Sequence, residues 1–282
     1  MEEAFTEEFR WITLEIGTSH SYLGMQLNFG SGFVTIDMTF YVDKVLSEHQ
    51  DVTSTMIPAH KDLFRVDKAS ELLKSGEARK FHTTVARLLY LSKPGRPDII
   101  TPVGFLFTRV KSPTEEDLKK LMQVLGYLKQ TKDYTIALKP TKMAQVEAYI
   151  DASYDIHEDG KSHTGLIVMI GGVAVFNALR KQKCVCKCPT KAELVALSDN
   201  LGFVELFQEL LGFVTNSKID ASVIFQDNTS VISMVTSGGG ITRTKHMRAR
   251  MFLVLEAVQE LRVKIKYVPT ALMIADGLTK PW

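Results

Sequence analysis

Asp151, Glu193, Asp227 and Asp276 each stand where a carboxylate is out of keeping with its local pattern. Asp151 follows Val146-Glu147-Ala148-Tyr149-Ile150, and Asp227 follows Ala221-Ser222-Val223-Ile224-Phe225-Gln226. Asp276 follows Ala271-Leu272-Met273-Ile274-Ala275, and Glu193 opens the apolar stretch Leu194-Val195-Ala196-Leu197. Carboxylates that converge at strand ends and helix starts are what a pair of divalent cations requires. Oxygen ligands suit hard ions such as magnesium, and two such ions can clamp both sides of a phosphodiester. Taken singly, each acid also fits a plainer role as a helix cap or a solvated edge residue. The order Asp, Glu, Asp, Asp points to a nuclease.

The elements that must position these acids follow from periodicity. A strand is expected over 145–151, then a polar stretch ending at His163. Gly165–Ile170 and Val173–Ala178 flank Gly171-Gly172, a strong hairpin signal. A helix is expected from about Thr190 to Leu211, a strand over Ala221–Gln226 and a helix over Asn228–Thr236. The flexible loop Ser237-Gly238-Gly239-Gly240 then precedes a helix from Lys245 to Glu260, a strand over Val263–Val268 and a last helix from Ala271. Three meandering strands followed by alternating helices and strands give a mixed sheet with helices on its faces. In the order 3-2-1-4-5 the first and fourth strands are neighbours, so Asp151 and Asp227 meet at the sheet centre.

The first half reads differently. Leu23, Met25, Leu27 and Phe29 alternate up to Gly30-Ser31-Gly32, and Val34, Ile36 and Met38 alternate after it, a hairpin by pattern and turn chemistry. Helices are expected over Phe40–His49, over Glu77–Leu91, and from a cap at Asp98 to about Thr108. Ser112-Pro113-Thr114-Glu115 reads as a capping box with proline at the first helical position. It opens an amphipathic helix carrying Leu118, Leu121, Met122, Leu125 and Leu128. Pro140-Thr141-Lys142 is the expected linker, separating units at 1–140 and 145–282.

At 282 residues, 45% apolar and 23% charged, the chain has an ordinary globular composition with room for about two domains. A net charge of +2 permits a nucleic-acid partner without demanding one. No apolar run reaches a membrane span, and the acidic N-terminus carries no signal segment, so no membrane partner is expected. Cys184, Cys186 and Cys188 are too few for a disulfide framework and lack the second pair of a zinc site, and a reducing intracellular compartment is the expectation.

The joint motif order resembles one family. Tyr149-Ile150-Asp151-Ala152, Lys161-Ser162-His163-Thr164-Gly165, Thr190-Lys191-Ala192-Glu193, Gln226-Asp227-Asn228-Thr229-Ser230, Arg243-Thr244-Lys245-His246, Tyr267-Val268-Pro269-Thr270 and Ala275-Asp276-Gly277-Leu278-Thr279-Lys280-Pro281 occur in one order. Together they look like the ribonuclease H domain of copia-type retrotransposon Pol polyproteins. Tyr22-Leu23-Gly24-Met25, Leu88-Leu89-Tyr90-Leu91 with Arg96-Pro97-Asp98-Ile99, and Leu125-Gly126-Tyr127-Leu128-Lys129-Gln130-Thr131 are similar to the segment before that domain. Three departures stand out. Ser153-Tyr154 replaces the family's Asp-Trp, and Lys191 replaces the first acid of its Glu-Ala-Glu run. Phe176-Asn177-Ala178-Leu179-Arg180-Lys181-Gln182 replaces its Trp-Ser-Ser-Lys-Lys-Gln.

The resemblance implies a ribonuclease H-like five-stranded sheet in 145–282, preceded by the α+β end of a reverse transcriptase (post-catalytic palm, thumb and connection-like). It implies hydrolysis of the RNA strand of an RNA–DNA hybrid, leaving 3′-hydroxyl and 5′-phosphate ends, with two magnesium ions or manganese in their place. Asp151 would bridge both ions, Asp276 would join it on the ion that prepares the attacking water, and Glu193 and Asp227 would hold the other. Asn228, Thr229 and Ser230 could reach the 2′-hydroxyl or simply cap a helix. Arg243, Lys245 and His246 suit phosphate contacts or a solvated turn, and Lys119, Lys120, Lys129 and Lys132 suit a duplex track or a solvated face. Partners implied are the hybrid and the rest of the reverse transcriptase or polyprotein, in a cytoplasmic retrotransposon particle or the nucleus. Tyr41-Val42-Asp43-Lys44 superficially resembles the Tyr-Val-Asp-Asp polymerase turn, but Lys44 removes one carboxylate and Val42, Val45 and Leu46 suit a helix face. The chain is expected to begin after the polymerase carboxylates, and so not to synthesise DNA alone. The alternative is an inactive ribonuclease H-like fragment that only binds hybrid or scaffolds a polymerase.

Overall fold

The computed structural model describes residues 16–141, 145–237 and 245–280. In the first half the expected hairpin forms as β2 (Met25–Gly30) and β3 (Phe33–Asp37). Two strands that alternation did not announce, β1 (Ser19–Tyr22) and β4 (Ile136–Leu138), extend it to an antiparallel sheet in the order β1-β2-β3-β4. Helices α1 (Thr39–Leu46), α2 (Ser75–Ser92), α3 (Ile100–Arg109) and α4 (Glu115–Gln130) close a core around Val45, Phe81, Leu88, Leu106 and Leu125. Asp43 lies within α1 with Lys132 3.6 Å away, so the Tyr41–Lys44 tetrad is helical and not a hairpin tip.

Two start signals act differently from the sequence expectation. Asp98 does not cap α3: its carboxylate accepts from the buried Arg96 guanidinium at 2.7 Å, inside the 3-10 turn Pro97–Ile99. The capping box of α4 is Thr114 with Asp117, so Pro113 precedes the cap and does not open the helix. The Thr114 hydroxyl accepts from the Asp117 N–H at 3.3 Å, and the Asp117 carboxylate accepts from the Thr114 N–H at 3.0 Å. Such a cap contributes about 1 kcal/mol.

The second half contains β5 (Val146–Ser153), β6 (Lys161–Ile170), β7 (Val173–Val185), α5 (Pro189–Thr215) and β8 (Ser222–Gln226). They are followed by α6 (Thr229–Ser237), α7 (Lys245–Gln259), β9 (Val263–Tyr267) and α8 (Asp276–Thr279). The sheet order is β7-β6-β5-β8-β9, antiparallel on the β7 side and parallel from β5 to β9. Counted within this half, that is the ribonuclease H-like order 3-2-1-4-5. Gly171 and Gly172, with φ of 62° and 82°, make the β6–β7 turn, where a two-residue turn of the primed type needs positive φ at both positions. Ile150, Leu166, Leu194, Ile224, Val231 and Val254 bring sheet and helices into a second core.

β6 and β7 run further than alternation suggests because their polar ends are satisfied inside the fold. Gln182 Nε2 donates to the Thr164 hydroxyl and to the Ala192 carbonyl, both at 2.9 Å. Val185 ends β7, so Cys184 alone of the three thiols lies on the strand, while Cys186 is buried with Sγ 3.4 Å from Gln182 Oε1. The final helix is the clearest departure. A 3-10 turn at Thr270–Leu272 and a non-helical Met273 (φ −76°, ψ 89°) interrupt it, leaving only the four-residue α8. Among the described residues, no helix is long and apolar enough to cross a membrane.

Candidate active site

Asp151 lies near the end of the central strand β5, opposite Gly165 of β6, and is 3% exposed. Asp227 directly follows β8, the parallel neighbour of β5, and Asp276 opens α8. One carboxylate oxygen from each of these three residues lies within 4.8 Å of the others. That distance lets one hard cation, or a pair, share them. Glu193, in the first turns of α5, is buried beside this group and not among those three. Its carboxylate accepts from the Ala152 backbone N–H and, at 3.4 Å, from Gln226 Nε2.

The electrostatics match a site assembled for positive charge. Burial first, then the nearby Asp276 and Asp227, push Asp151 up to about 6, although the Thr279 hydroxyl and Lys280 pull the other way. Burial, then Asp151 and Asp227, push Glu193 up to about 9. Carboxylates so placed repel one another unless protons or cations neutralise them. Asp276 Oδ1 is buried and accepts no hydrogen bond among the described residues, while Oδ2 accepts from Lys280 Nζ at 2.6 Å. An all-oxygen donor set with one vacant buried oxygen fits a divalent cation.

Three supporting residues were quoted in the sequence motifs without a role. Gln226, fully buried at the end of β8, reaches Glu193 with its Nε2, while its Oε1 accepts from the backbone N–H groups of Asp227 (2.8 Å) and Asn228 (3.0 Å). One amide therefore fixes the turn that carries one acid and orients another. Thr279 donates its hydroxyl to Asp151 Oδ2, and Thr270 donates to Asp227 Oδ2 at 2.8 Å. The signal for Gln226 was available: an amide ending an apolar strand must find buried partners.

The other expected contact residues divide. Asn228 Oδ1 accepts from the N–H groups of Ser230 (3.1 Å) and Val231 (3.2 Å), so its side-chain oxygen caps α6. Ser230 is exposed on the first turn of that helix. Lys245 and His246 are exposed at the start of α7; Arg243 and the glycines at 238–240 lie outside the described residues. Lys120 and Lys129 are tied to backbone carbonyls of the first half (Lys120 to Leu63 and Arg65, Lys129 to Val52), Lys119 lies 3.7 Å from Glu116 and Lys132 pairs with Asp43. These four lysines serve internal contacts.

No protein-family model matches the chain. A retrovirus-related Pol polyprotein from transposon RE1 of Arabidopsis thaliana is 28% identical over 82% of the chain, and one from transposon TNT 1-94 of Nicotiana tabacum is 25% identical over 94%. A putative transposon Ty5-1 protein of Saccharomyces cerevisiae is 28% identical over 66%. These matches span 15%, 21% and 62% of the relatives' own lengths, respectively. Among solved structures, ribonuclease H1 of Halobacterium salinarum is similar over 48% of this chain and 93% of its own, at 21% identity and a TM-score of 0.37. A prototype foamy virus protease–reverse transcriptase is similar over 82% of this chain and 28% of its own, at 11% identity and a TM-score of 0.34. Over most of its length the chain is similar to copia-type retrotransposon Pol polyproteins, and its five-stranded half has a ribonuclease H-like fold.

Proposed function

We propose that residues 145–282 are a ribonuclease H domain that cleaves the RNA strand of RNA–DNA hybrids as part of a Pol polyprotein. Residues 1–140 are then the post-catalytic end of a reverse transcriptase, without polymerase carboxylates of its own. The observation that carries this reading is the meeting of Asp151, Asp227 and Asp276 within 4.8 Å.

Asp151, Glu193, Asp227 and Asp276 would hold a pair of magnesium ions, with manganese as the alternative. Such ions supply charge stabilisation to the scissile phosphate and make an attacking water more acidic. Asp151, on the central strand and held by the Thr279 hydroxyl, would help hold both ions. Asp276, with its vacant Oδ1, would help hold the ion that prepares the attacking water. Glu193 and Asp227, linked through Gln226, would hold the ion that stabilises the leaving 3′ oxygen. Asn228, although its oxygen caps α6, still has an amide to offer a 2′-hydroxyl, and Ser230, Arg243, Lys245 and His246 remain candidates for the sugar-phosphate backbone.

The test is cleavage of an RNA–DNA hybrid with and without magnesium, with single-stranded RNA and duplex DNA spared. Asp151→Asn should lower the rate by at least ~100-fold, since it removes a charged ligand from the centre of the site. Undiminished cleavage by that variant would refute this assignment. One observation favours the inactive-scaffold reading: the Lys280 ammonium lies 2.6 Å from Asp276 Oδ2, where it competes with cation charge. Hybrid binding by the wild type without cutting in either metal would establish that reading instead.

A further inference from the structure

Away from the four acids, the second half contains a polar cleft of about 470 Å³ between sheet and helices. Its floor is buried and polar: Thr164 on β6, Gln182 on β7 and Asn200 on α5. Its walls carry two guanidinium groups, Arg180 on β7 and Arg250 on α7, with Asp199 of α5 beside Arg250. We propose that this cleft binds a backbone phosphate of the hybrid held at the acid cluster, with Arg180 as its main contact. This extends the ribonuclease H reading and rests on it.

The chemistry selects the ligand. A cleft of this volume is the size of a small-ligand site, yet no hydrophobic or aromatic residue among those described lines it. The floor amides are already bonded within the protein, Gln182 to Thr164 and Ala192 and Asn200 to Ala196, which leaves Arg180 as the guanidinium open to a ligand. Arg180 lies with its guanidinium carbon 4.2 Å from the Phe203 ring centroid, and it has no acidic partner among the described residues. Stacking fixes its plane while leaving the N–H edge open, the arrangement suited to phosphate oxygens. Arg250 is held differently, donating to the Ser198 hydroxyl at 2.7 Å and to Asp199. Asp199 offsets Arg250 and Asp159 holds Lys181 at 2.9 Å, so the cleft keeps a net cation from Arg180, and exposed Lys183 on the rim adds another.

Placement selects the polymer. Asn200 lies seven residues along α5 from Glu193, roughly 10 Å at 1.5 Å per residue. Thr164 pairs with Ala152 on the face of the sheet covered by α5, which carries Glu193, whereas Asp151 and its partner Gly165 face α8. A strand that leaves the acids along the α5 face, past Glu193, carries its next phosphates toward the cleft. The cleft offers no base-reading element, so the contact positions the duplex without regard to sequence.

The test measures binding of a short RNA–DNA hybrid against salt between about 50 and 200 mM, in an Asp151→Asn background with magnesium present. Arg180→Gln should make the slope of log affinity against log salt shallower by about 0.9, the loss of one phosphate contact, with several-fold weaker binding at low salt. Arg180→Lys, which keeps the charge, should restore the slope. Hybrid bound with an unchanged slope in Arg180→Gln would overturn this site while leaving the nuclease reading standing. Failure of the parent protein to bind hybrid at all would overturn both. A slope lost equally in Arg180→Gln and Arg180→Lys would make Arg180 a structural residue of the Phe203 stack and also overturn the proposal.

Discussion

The Thr101 hydroxyl donates at 2.7 Å to the backbone carbonyl of Leu278, a partner 177 positions further along the chain. Thr101 belongs to α3 in the first half, and Leu278 to α8, which Asp276 opens. A four-residue helix cannot hold itself in water, since even isolated helices of twelve residues are marginal. The first half thus braces the segment that carries one of the candidate ligands. Thr279 ties the same segment to Asp151, and Ser153 donates to the Thr279 carbonyl at 2.8 Å.

Thr101→Val keeps the shape of the side chain and removes the donor. It should cost about 1–3 kcal/mol, because a buried carbonyl loses its partner. The more diagnostic effect is on the cation: magnesium activation of cleavage should shift to higher concentration, by up to ~10-fold, as when other groups that orient ligands are lost. A magnesium titration of cleavage checks this. An unshifted activation curve would mean that α8 is held in place without Thr101.

Gly165 faces Asp151 across β5 and β6, and its bare Cα is what lets α8 approach the sheet. A Cβ there would lie 2.8 Å from Thr279 Cγ2, 3.1 Å from the Ala275 carbonyl and 3.2 Å from Leu278 Cβ. Gly165→Ala should therefore destabilise the protein by about 1–3 kcal/mol, as overpacking does, and push Asp276 away from Asp151. Urea unfolding and the magnesium titration together check it. Wild-type values in both would show that the segment yields without consequence.

What the sequence disclosed and what it withheld separate along physical lines. The apolar runs of β5 and β8 and the glycine turn after β6 locate the strands, while the order 3-2-1-4-5, which brings Asp151 beside Asp227, comes with the ribonuclease H resemblance. The position of Asp276 needed tertiary information: Ala271–Ala275 reads as helical by composition, yet Met273 leaves helical geometry and Thr270 is drawn to Asp227. Gly165 likewise reads as an ordinary strand residue until the chain that packs over it is known. Lys120 and Lys129 look solvated in sequence because nothing local shows that distant carbonyls lie within reach of their ammonium groups.

His157 and His163 predict a response to acid. Their rings are 4.3 Å apart between centroids, and both pack against Phe64 of the first half. Burial, then Lys181 and Lys161, lower His157 to about 4 against the opposing pull of Asp159; burial, then His157 and Lys181, lower His163 to about 3. Both lie below the ordinary 6.5, so the unfolded chain takes up protons first. Stability from this pair is complete above about 6.5 and is lost as pH falls through about 4 and then about 3. The urea midpoint should fall across that window, and His163→Gln should flatten the fall. Equal pH dependence in the two proteins would sink the assignment.

Cation binding should also register as stability, independently of any cutting. The metal-free site holds Asp151, Glu193, Asp227 and Asp276 close together, with burial and the neighbouring carboxylates opposing the charged forms of Asp151 and Glu193. An ion that binds only the folded chain adds stability by mass action, about 2.7 kcal/mol at a concentration 100 times its dissociation constant. Magnesium should therefore raise the melting temperature of the wild type beyond what sodium chloride does at the same ionic strength. Asp151→Asn and Asp227→Asn should each shrink that increment, and each should leave the metal-free melting temperature unchanged or higher, since a repelling charge has gone. Chelation should return the wild type to its metal-free value. If magnesium raises the melting temperature equally in wild type and in an Asp151→Asn, Asp227→Asn, Asp276→Asn triple variant, the carboxylates are not where the cation binds.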